Sequence, residues 1–417
     1  MEFHILSFEG PDAYARAGGI ASRISGLSEA LAVRGNDTHL WFVGDPHLPG
    51  HEQKNHLYLH RWCQWISHYH PLGVYDGEEG KKNDYASSLP PFLMANYFEN
   101  ITQNSKRMVV LAEEWHTVDA ILHLDALLRH AGVRDRVTII WNANNVFGFD
   151  RIDWPRLRNA AVVSTVSRYM KHILKNYGID AIVVPNGVDE DAFIEPDMQL
   201  KTEFLERVHH RTVLTKIARW DPDKRWLLAI EIIAGLKKEE LNPLFIARGG
   251  METHGNEVLG MARSLRLKIE DRNIVEGGAA GILQTISDTD GIDILNLRTP
   301  VDSQARKLLY AASDCVLANS IHEPFGLVAL ETMATRGLAC TGCSGEDYAI
   351  AGRNALVLQT NQSQEFIQHF ARLREHPAEI ERIRNAGHET AKRYTWSKII
   401  QQILLPQLDV FGAIGTY

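Results

Sequence analysis

Short apolar runs alternate along the whole chain with segments whose apolar positions recur every three or four residues. Runs of about four to eight apolar residues suit buried strands, and the wider spacing suits helices packed by one face. Phe3 to Phe8 reads as a strand, followed by the loop EGPDAYARAGG and an amphipathic helix from about Ile20 to Arg34 that Gly35 ends. Further strands are expected at Thr38 to Val43, Met108 to Ala112 and Val137 to Trp141, and in AAVVSTV and IVVP. Later ones are Thr212 to Ala218, PLFIAR, NIVE, Ile292 to Arg298 and Asp314 to Asn319. Thr117 and Ser167 are expected to cap the helices that follow them, and another helix should run from about Arg225 to Lys238. Repeated strand and helix is the pattern of parallel sheets covered on both faces. Two stretches interrupt it. Residues 46–104, rich in His, Tyr, Trp and Pro with the polar patch DGEEGKKND, are expected to form loops and short helices, a candidate acceptor-binding insertion. Glu190 to Arg211 is charged and weakly patterned, and reads as a linker.

A chain of 417 residues is long for one core, so two doubly wound domains are expected. Its net charge of -8 argues against nucleic acid or an anionic membrane as the main partner. No apolar run reaches the roughly 18 residues of a membrane span, and the chain opens on strand-like FHILSF, so a cytoplasmic protein without a transmembrane segment is expected. Cys340 and Cys343 form a C-x-x-C, but no second pair completes a zinc site, and neither a redox nor a metal role is expected of them. His51, His56, His60, His68 and His70 show no consistent ligand spacing.

The candidate chemistry gathers at strand ends. SIHEPFGLVALETMATRG, Ser320 to Gly337, follows a strand and becomes a helix. Pro324 suits a helix opening, so the first-turn amides of Phe325, Gly326 and Leu327 are expected to face an anion above the strand. Glu323 and Glu331 flank that positive end, and acceptor-only groups beside such amides suit a ligand carrying phosphates and sugar hydroxyls. Arg219 and Lys224, five apart across the turn WDPD, can converge on one phosphate pair. Asp221 and Asp223 between them read as turn residues rather than metal ligands. Gly18 and Gly19, with Arg16 before them, offer amides and a guanidinium to an anion, although the dinucleotide fingerprint G-x-G-x-x-G is absent. His116 lies at the carboxyl end of a strand, where α/β folds bind ligands. Asn142, Asn144 and Asn145 suit either a turn or sugar hydroxyls.

Glu323 and Glu331 around PFGLVAL resemble the E-x7-E signature of the retaining nucleotide-sugar glycosyltransferases of family 4. Arg16 to Gly19 resembles the K-x-G-G loop of their glycogen synthase-like relatives, with arginine for lysine. W-H-T, T-V-S, P-N-G-V-D and the R-x4-K of Arg219 and Lys224 follow in the family's order. Arg298 ends the stretch that resembles the strand touching the nucleobase, while TGCSGEDY departs from the T-G-G-L of glycogen synthase. Residues 46–104 and 277–291 lie outside the resemblance. It implies a GT-B fold of two Rossmann-like domains facing a cleft: an acceptor-side domain at 1–190 and a nucleotide-sugar domain at 191–396, with the helix of 397–417 packing back on the first. The implied reaction is metal-independent retaining transfer of glucose or a similar hexose from a UDP- or ADP-sugar to an acceptor hydroxyl, with no cofactor. Arg219 and Lys224 would neutralise the leaving diphosphate, Glu323 would bind the donor sugar, Glu331 the ribose, and His116 would face the acceptor. A sugar phosphorylase, a nucleotide-sugar epimerase or a non-catalytic nucleotide-sugar-binding protein would share the architecture.

Overall fold

The apolar runs of the first half of the chain become an eight-stranded sheet. Its strands are β1 (Glu2–Leu6), β2 (Asp37–Val43), β3 (His51–Lys54), β4 (Leu57–Trp62), β5 (Met108–Glu113), β6 (Val137–Ala143), β7 (Val162–Thr165) and β8 (Ile182–Val183). They lie in the order β3-β4-β2-β1-β5-β6-β7-β8, parallel except for β3, which pairs antiparallel with β4 at the edge. In this computed structural model, which describes residues 1–99, 101 and 106–413, the sheet belongs to a first compact unit of Met1–Gly187 with Trp396–Tyr417. The second unit is Val188–Thr395.

β1 is hydrogen-bonded on both sides, Phe3 pairing with Thr38 and with Val109, and Phe3, Ile5 and Leu6 are fully buried. This is the environment that continuous apolar runs require. The first crossover helix is Gly19–Val33, and Gly35 after it takes φ +80°, a left-handed turn that favours glycine. Ser167 caps the helix Arg168–Lys175 by accepting from the Met170 amide at 3.1 Å. Thr117 does not cap the helix Val118–His130. Its backbone is already helical, and its hydroxyl turns back to donate to the carbonyls of Glu113 at 3.2 Å and Glu114 at 2.9 Å.

Residues 46–104 differ from the expectation of loops and short helices, because they supply β3, β4 and the 16-residue helix Glu78–Leu93. β4 reads LYLHRW, and its polar residues are buried on partners distant in sequence. His60 meets His39 at 2.9 Å, and Arg61 donates to both Asp12 oxygens at 2.8 and 3.0 Å.

The second unit holds β9 (Thr212–Ile217), β10 (Pro243–Arg248), β11 (Ile269–Arg272), β12 (Ile294–Leu297), β13 (Cys315–Ala318), β14 (Ala339–Thr341) and β15 (Leu356–Val357). All pairs are parallel, in the order β11-β12-β10-β9-β13-β14-β15. One hydrophobic cluster joins the sheet to the helices Trp226–Lys238, His254–Ser264 and Ser363–Arg374. A second joins it to Met198–Arg207, Gly278–Thr285 and Ser303–Ala312. The stretch expected as a linker therefore contains a packed helix of this unit. Phe204 is its one fully buried anchor, too sparse a signal to show as a periodic pattern. NIVE is not a strand; β11 lies just before it, in the charged IEDR that suits a sheet edge. Among the described residues no helix is long and apolar enough to cross a membrane.

Candidate functional site

The loops leaving β9, β13 and β14 in the second unit are bonded to one another. After β9, Asp221 accepts from the Asp223 amide at 2.9 Å and shapes the turn Pro222–Lys224. The Ile321 amide of the loop after β13 donates to the Asp223 carbonyl at 2.8 Å, which holds the two loops together. Lys224 Nζ then lies 2.7 Å from Glu323 Oε2, with 24% and 18% of the two side chains exposed, so the pair is reachable from solvent. Arg219 is exposed, with its guanidinium 3.9 Å from Asp221. The loop after β14 closes on the same residue: Ser344 Oγ accepts from the Glu323 amide at 2.8 Å and donates to its carbonyl at 3.3 Å. A Cβ on Gly345 would lie 2.0 Å from the Glu323 carbonyl oxygen, so only glycine allows this approach.

The helix that follows opens later than the sequence suggests. It is Leu327–Ala334, and Gly326 before it takes φ +87°. The left-handed turn at Gly326 breaks the helix from Pro324, so the Phe325 amide is not in its first turn, and the Phe325 side chain is buried. Tyr348 donates its hydroxyl to the Gly326 carbonyl. Glu331, within the helix, lies 3.4 Å from Arg306 Nε; burial raises its pKa and the guanidinium opposes the rise. Arg298 follows β12 with its side chain exposed and its amide donating to the Arg272 carbonyl at 2.9 Å. Under the loops, Lys216 on β9 is buried and donates to the Leu317 carbonyl at 3.0 Å and to Asn319 Oδ1 at 2.7 Å. Burial, and then the charge of Lys224, push its pKa down to about 7.

In the first unit His116 sits in the 3-10 turn Trp115–Thr117 after β5, buried and stacked on Phe8 with ring centroids 4.5 Å apart. Its Nε2 is 2.7 Å from Glu78 Oε1. Burial lowers its pKa against the pull of Glu78, so the neutral ring carries its proton on Nε2. Nδ1, with no partner among the described residues, is left as an acceptor. The glycine-rich loop already holds an anion belonging to the chain: Glu9 Oε2 accepts from the amides of Gly18 and Ala21, each at 3.1 Å, and of Ala17 at 3.4 Å. Arg16 is exposed and donates to the Pro11 carbonyl at 3.0 Å, and Gly19 begins the helix. Asn142 and Asn144 donate to Glu113 at 2.8 and 2.7 Å, while Asn145 accepts from the Phe147 amide at 2.7 Å in a turn. Glu114, at φ +68°, is pushed up to about 8 by burial and accepts from the Asn144 amide at 2.7 Å.

Sequence reasoning passed over Glu9, Glu78, Arg306 and Glu346. Glu78 lies in a patch read as loop and Glu346 in the stretch TGCSGEDY that departs from the glycogen synthase pattern. Each becomes notable only through a partner or a burial that contact across the fold creates.

Residues 17–192 match the model of Glycosyltransferase Family 4. Sucrose-phosphate synthase (tll1590) from Thermosynechococcus elongatus superposes with a TM-score of 0.71 at 17% identity, covering 99% of each chain. The catalytic domain of starch synthase IV from Arabidopsis thaliana, bound to ADP and acarbose, does so with a TM-score of 0.71 at 14% identity, again over 99% of each chain. Anabaena Alr3699/HepE in complex with UDP and glucose gives a TM-score of 0.64 at 15% identity, over 98% of this chain and 100% of that one. No curated protein sequence matches. The match to the Glycosyltransferase Family 4 model over residues 17–192 and the two-sheet α/β architecture shared with these structures along nearly the whole chain give this chain the GT-B fold.

Proposed function

We propose that the chain moves a hexose from a nucleoside diphosphate to an acceptor hydroxyl, retaining the anomeric configuration and using no metal ion. The observation that supports this best is the reachable Lys224–Glu323 pair, held where the loops after β9, β13 and β14 meet, with Arg219 on the same turn. As the bond between the anomeric carbon and the phosphate oxygen breaks, negative charge grows on the diphosphate. Lys224 and Arg219 then hold it more tightly than in the ground state, which lowers the barrier. The amides of Gly326 and Leu327 add to that field. Glu323 can keep Lys224 on one lone pair and accept a sugar hydroxyl on another. Glu331, oriented by Arg306, is assigned to the ribose, and Arg298 to the base.

On the acceptor side we assign the Nδ1 lone pair of His116 to a hydroxyl, with Glu78 fixing the tautomer. Arg16, Gly18 and Gly19 form the loop assigned to the donor from the first unit; because Glu9 takes the Gly18 amide, the charge there comes from Arg16. The new bond forms on the face the diphosphate leaves, and the departing phosphate oxygen takes the acceptor proton, so that one glycosidic bond and one protonated diphosphate result.

UDP-glucose and ADP-glucose, alone and with sugar acceptors, are the first donors to test. The reading expects acceptor-dependent release of nucleoside diphosphate, a product of unchanged anomeric configuration, and a rate unaffected by chelators. Sugar 1-phosphate formed only with inorganic phosphate, an epimerised donor, or binding without turnover would each overturn it.

A further inference from the structure

Glu346, in the loop after β14, carries a carboxyl group that the reaction above does not use. It is 5% exposed, and among the described residues neither of its oxygens meets a side-chain donor; only the backbone amides of Ser344 and of Glu346 itself approach it. Its Cγ lies 2.6 Å from where a Cβ on Gly326 would sit, so it is wedged against the turn that opens the helix Leu327–Ala334. Its neighbours Ser344 and Gly345 are the residues that clasp the Glu323 backbone. A carboxylate in so closed a place, beside a second carboxylate, is disfavoured against its neutral acid. Burial, and then the charge of Glu323, push its pKa up to about 8, with the Glu346 and Ser344 amides and Lys224 opposing.

We propose that Glu346 is a positioning residue of the donor site, a carboxyl that must stay protonated for Lys224, Glu323 and the Gly326 turn to hold a nucleoside diphosphate. The inference rests on the donor-site reading given above. Neutral, Glu346 fills the space under Gly326 and adds no charge. Ionised, it sets a second negative charge beside Glu323, draws on Lys224 and repels the incoming phosphates. The other titratable group facing it is the Tyr348 hydroxyl, bonded to Gly326, while Lys216 acts on Glu323 and Lys224 from the strand beneath. Burial pushes Lys216 down to about 7, so were Lys216 the group responsible, its loss of a proton would weaken anion binding in the same direction. The test must therefore separate the two.

UDP and ADP are the probes, their Kd measured by calorimetry on the full chain at about pH 7 and about pH 9. The wild type should lose affinity by about tenfold across that range, which a single added charge near the phosphates can produce. Glu346→Gln, neutral and of the same shape, should bind as tightly as wild type at the lower pH and keep that affinity at the higher, with a matching flat donor KM. Lys216→Met should keep the loss. The same loss in Glu346→Gln, or its disappearance in Lys216→Met alone, would overturn the proposal. A folded Glu346→Gln that binds poorly at neutral pH would also overturn it. Infrared difference spectra give a reading that does not depend on the variant's yield: wild-type protein should show a protonated carboxyl band at neutral pH that is lost in alkali, and its absence counts against the idea. If the wild type binds neither nucleotide at neutral pH, the donor-site reading itself fails and this inference with it.

Discussion

Lys224 and Glu323 are 99 positions apart in sequence and 2.7 Å apart in space. A partly exposed ion pair contributes only about 0–1 kcal/mol to folding, so its loss should be felt in chemistry rather than in stability. Lys224→Ala and Glu323→Ala are each expected to lower turnover by more than about tenfold while circular dichroism and Tm stay close to wild type. Near-normal rates in both variants would remove them from the site. His116 yields a second expectation. Without Glu78 its ring loses the acceptor that keeps the proton on Nε2, so Glu78→Ala should cut kcat by about tenfold with the donor KM unchanged. Glu78→Gln, which can still accept from Nε2, should recover most of that rate, and an equal loss in both variants would show that the partnership does not matter. The charged groups at 219, 224, 323 and 331 were visible as residues in a pattern. Glu78 and Glu346 were not, because nothing local distinguishes a carboxylate that meets a histidine or a buried wall from one that meets water.

Among elements, the adjacent strands β1, β2 and β4 carry a column of imidazoles that reaches His51 on the edge strand β3. His4 stacks on His39 at 4.8 Å, His60 stacks on Trp41 at 3.7 Å, and His51 meets His60 at 2.7 Å. Burial is the leading cause that lowers His4, holds His39 at about 4 and holds His60 at about 3, with neighbouring imidazoles adding to the shifts of the last two. These values lie below the roughly 6.5 of an unfolded histidine, so the unfolded chain binds more protons in acid. The stability this neutral column contributes is whole above about pH 6.5 and is lost as pH falls through about 4. Chemical denaturation followed by tryptophan fluorescence should show the first unit weakening between about pH 6 and pH 4, and His60→Gln should lessen that slope. An unchanged slope would mean the column does not titrate as a unit. The same burial explains why the strands in residues 46–104 leave no apolar pattern: β4 hides histidine and arginine inside a sheet, on partners distant in sequence.

At the scale of the molecule, the chain leaves the first unit at Gly187 and rejoins it at Trp396. Trp396, Ile399, Ile400, Leu404 and Leu408 are all buried, and a Cβ on Gly187 would lie 2.4 Å from the Trp396 ring. Removing so large a buried side chain costs about 3–5 kcal/mol, so Trp396→Ala should lower the melting temperature of the first unit and leave that of the second. Truncation after Thr395 should do so more severely, and calorimetric scans of the two proteins make the comparison. A first transition unmoved by either change would mean that the returning segment adds nothing to that core.

The succession of strands and helices, the two-sheet fold and the charged positions at strand ends were determined by the sequence alone, because hydrophobic periodicity and turn chemistry act between near neighbours in the chain. Tertiary structure decided that Met198–Arg207 packs as a helix, that Glu9 takes the Gly18 amide, that Glu78 orients His116 and that Glu346 is sealed beneath Gly326. Each of these depends on which distant group displaces water from a given side chain, and that exchange happens only when the sheets have formed.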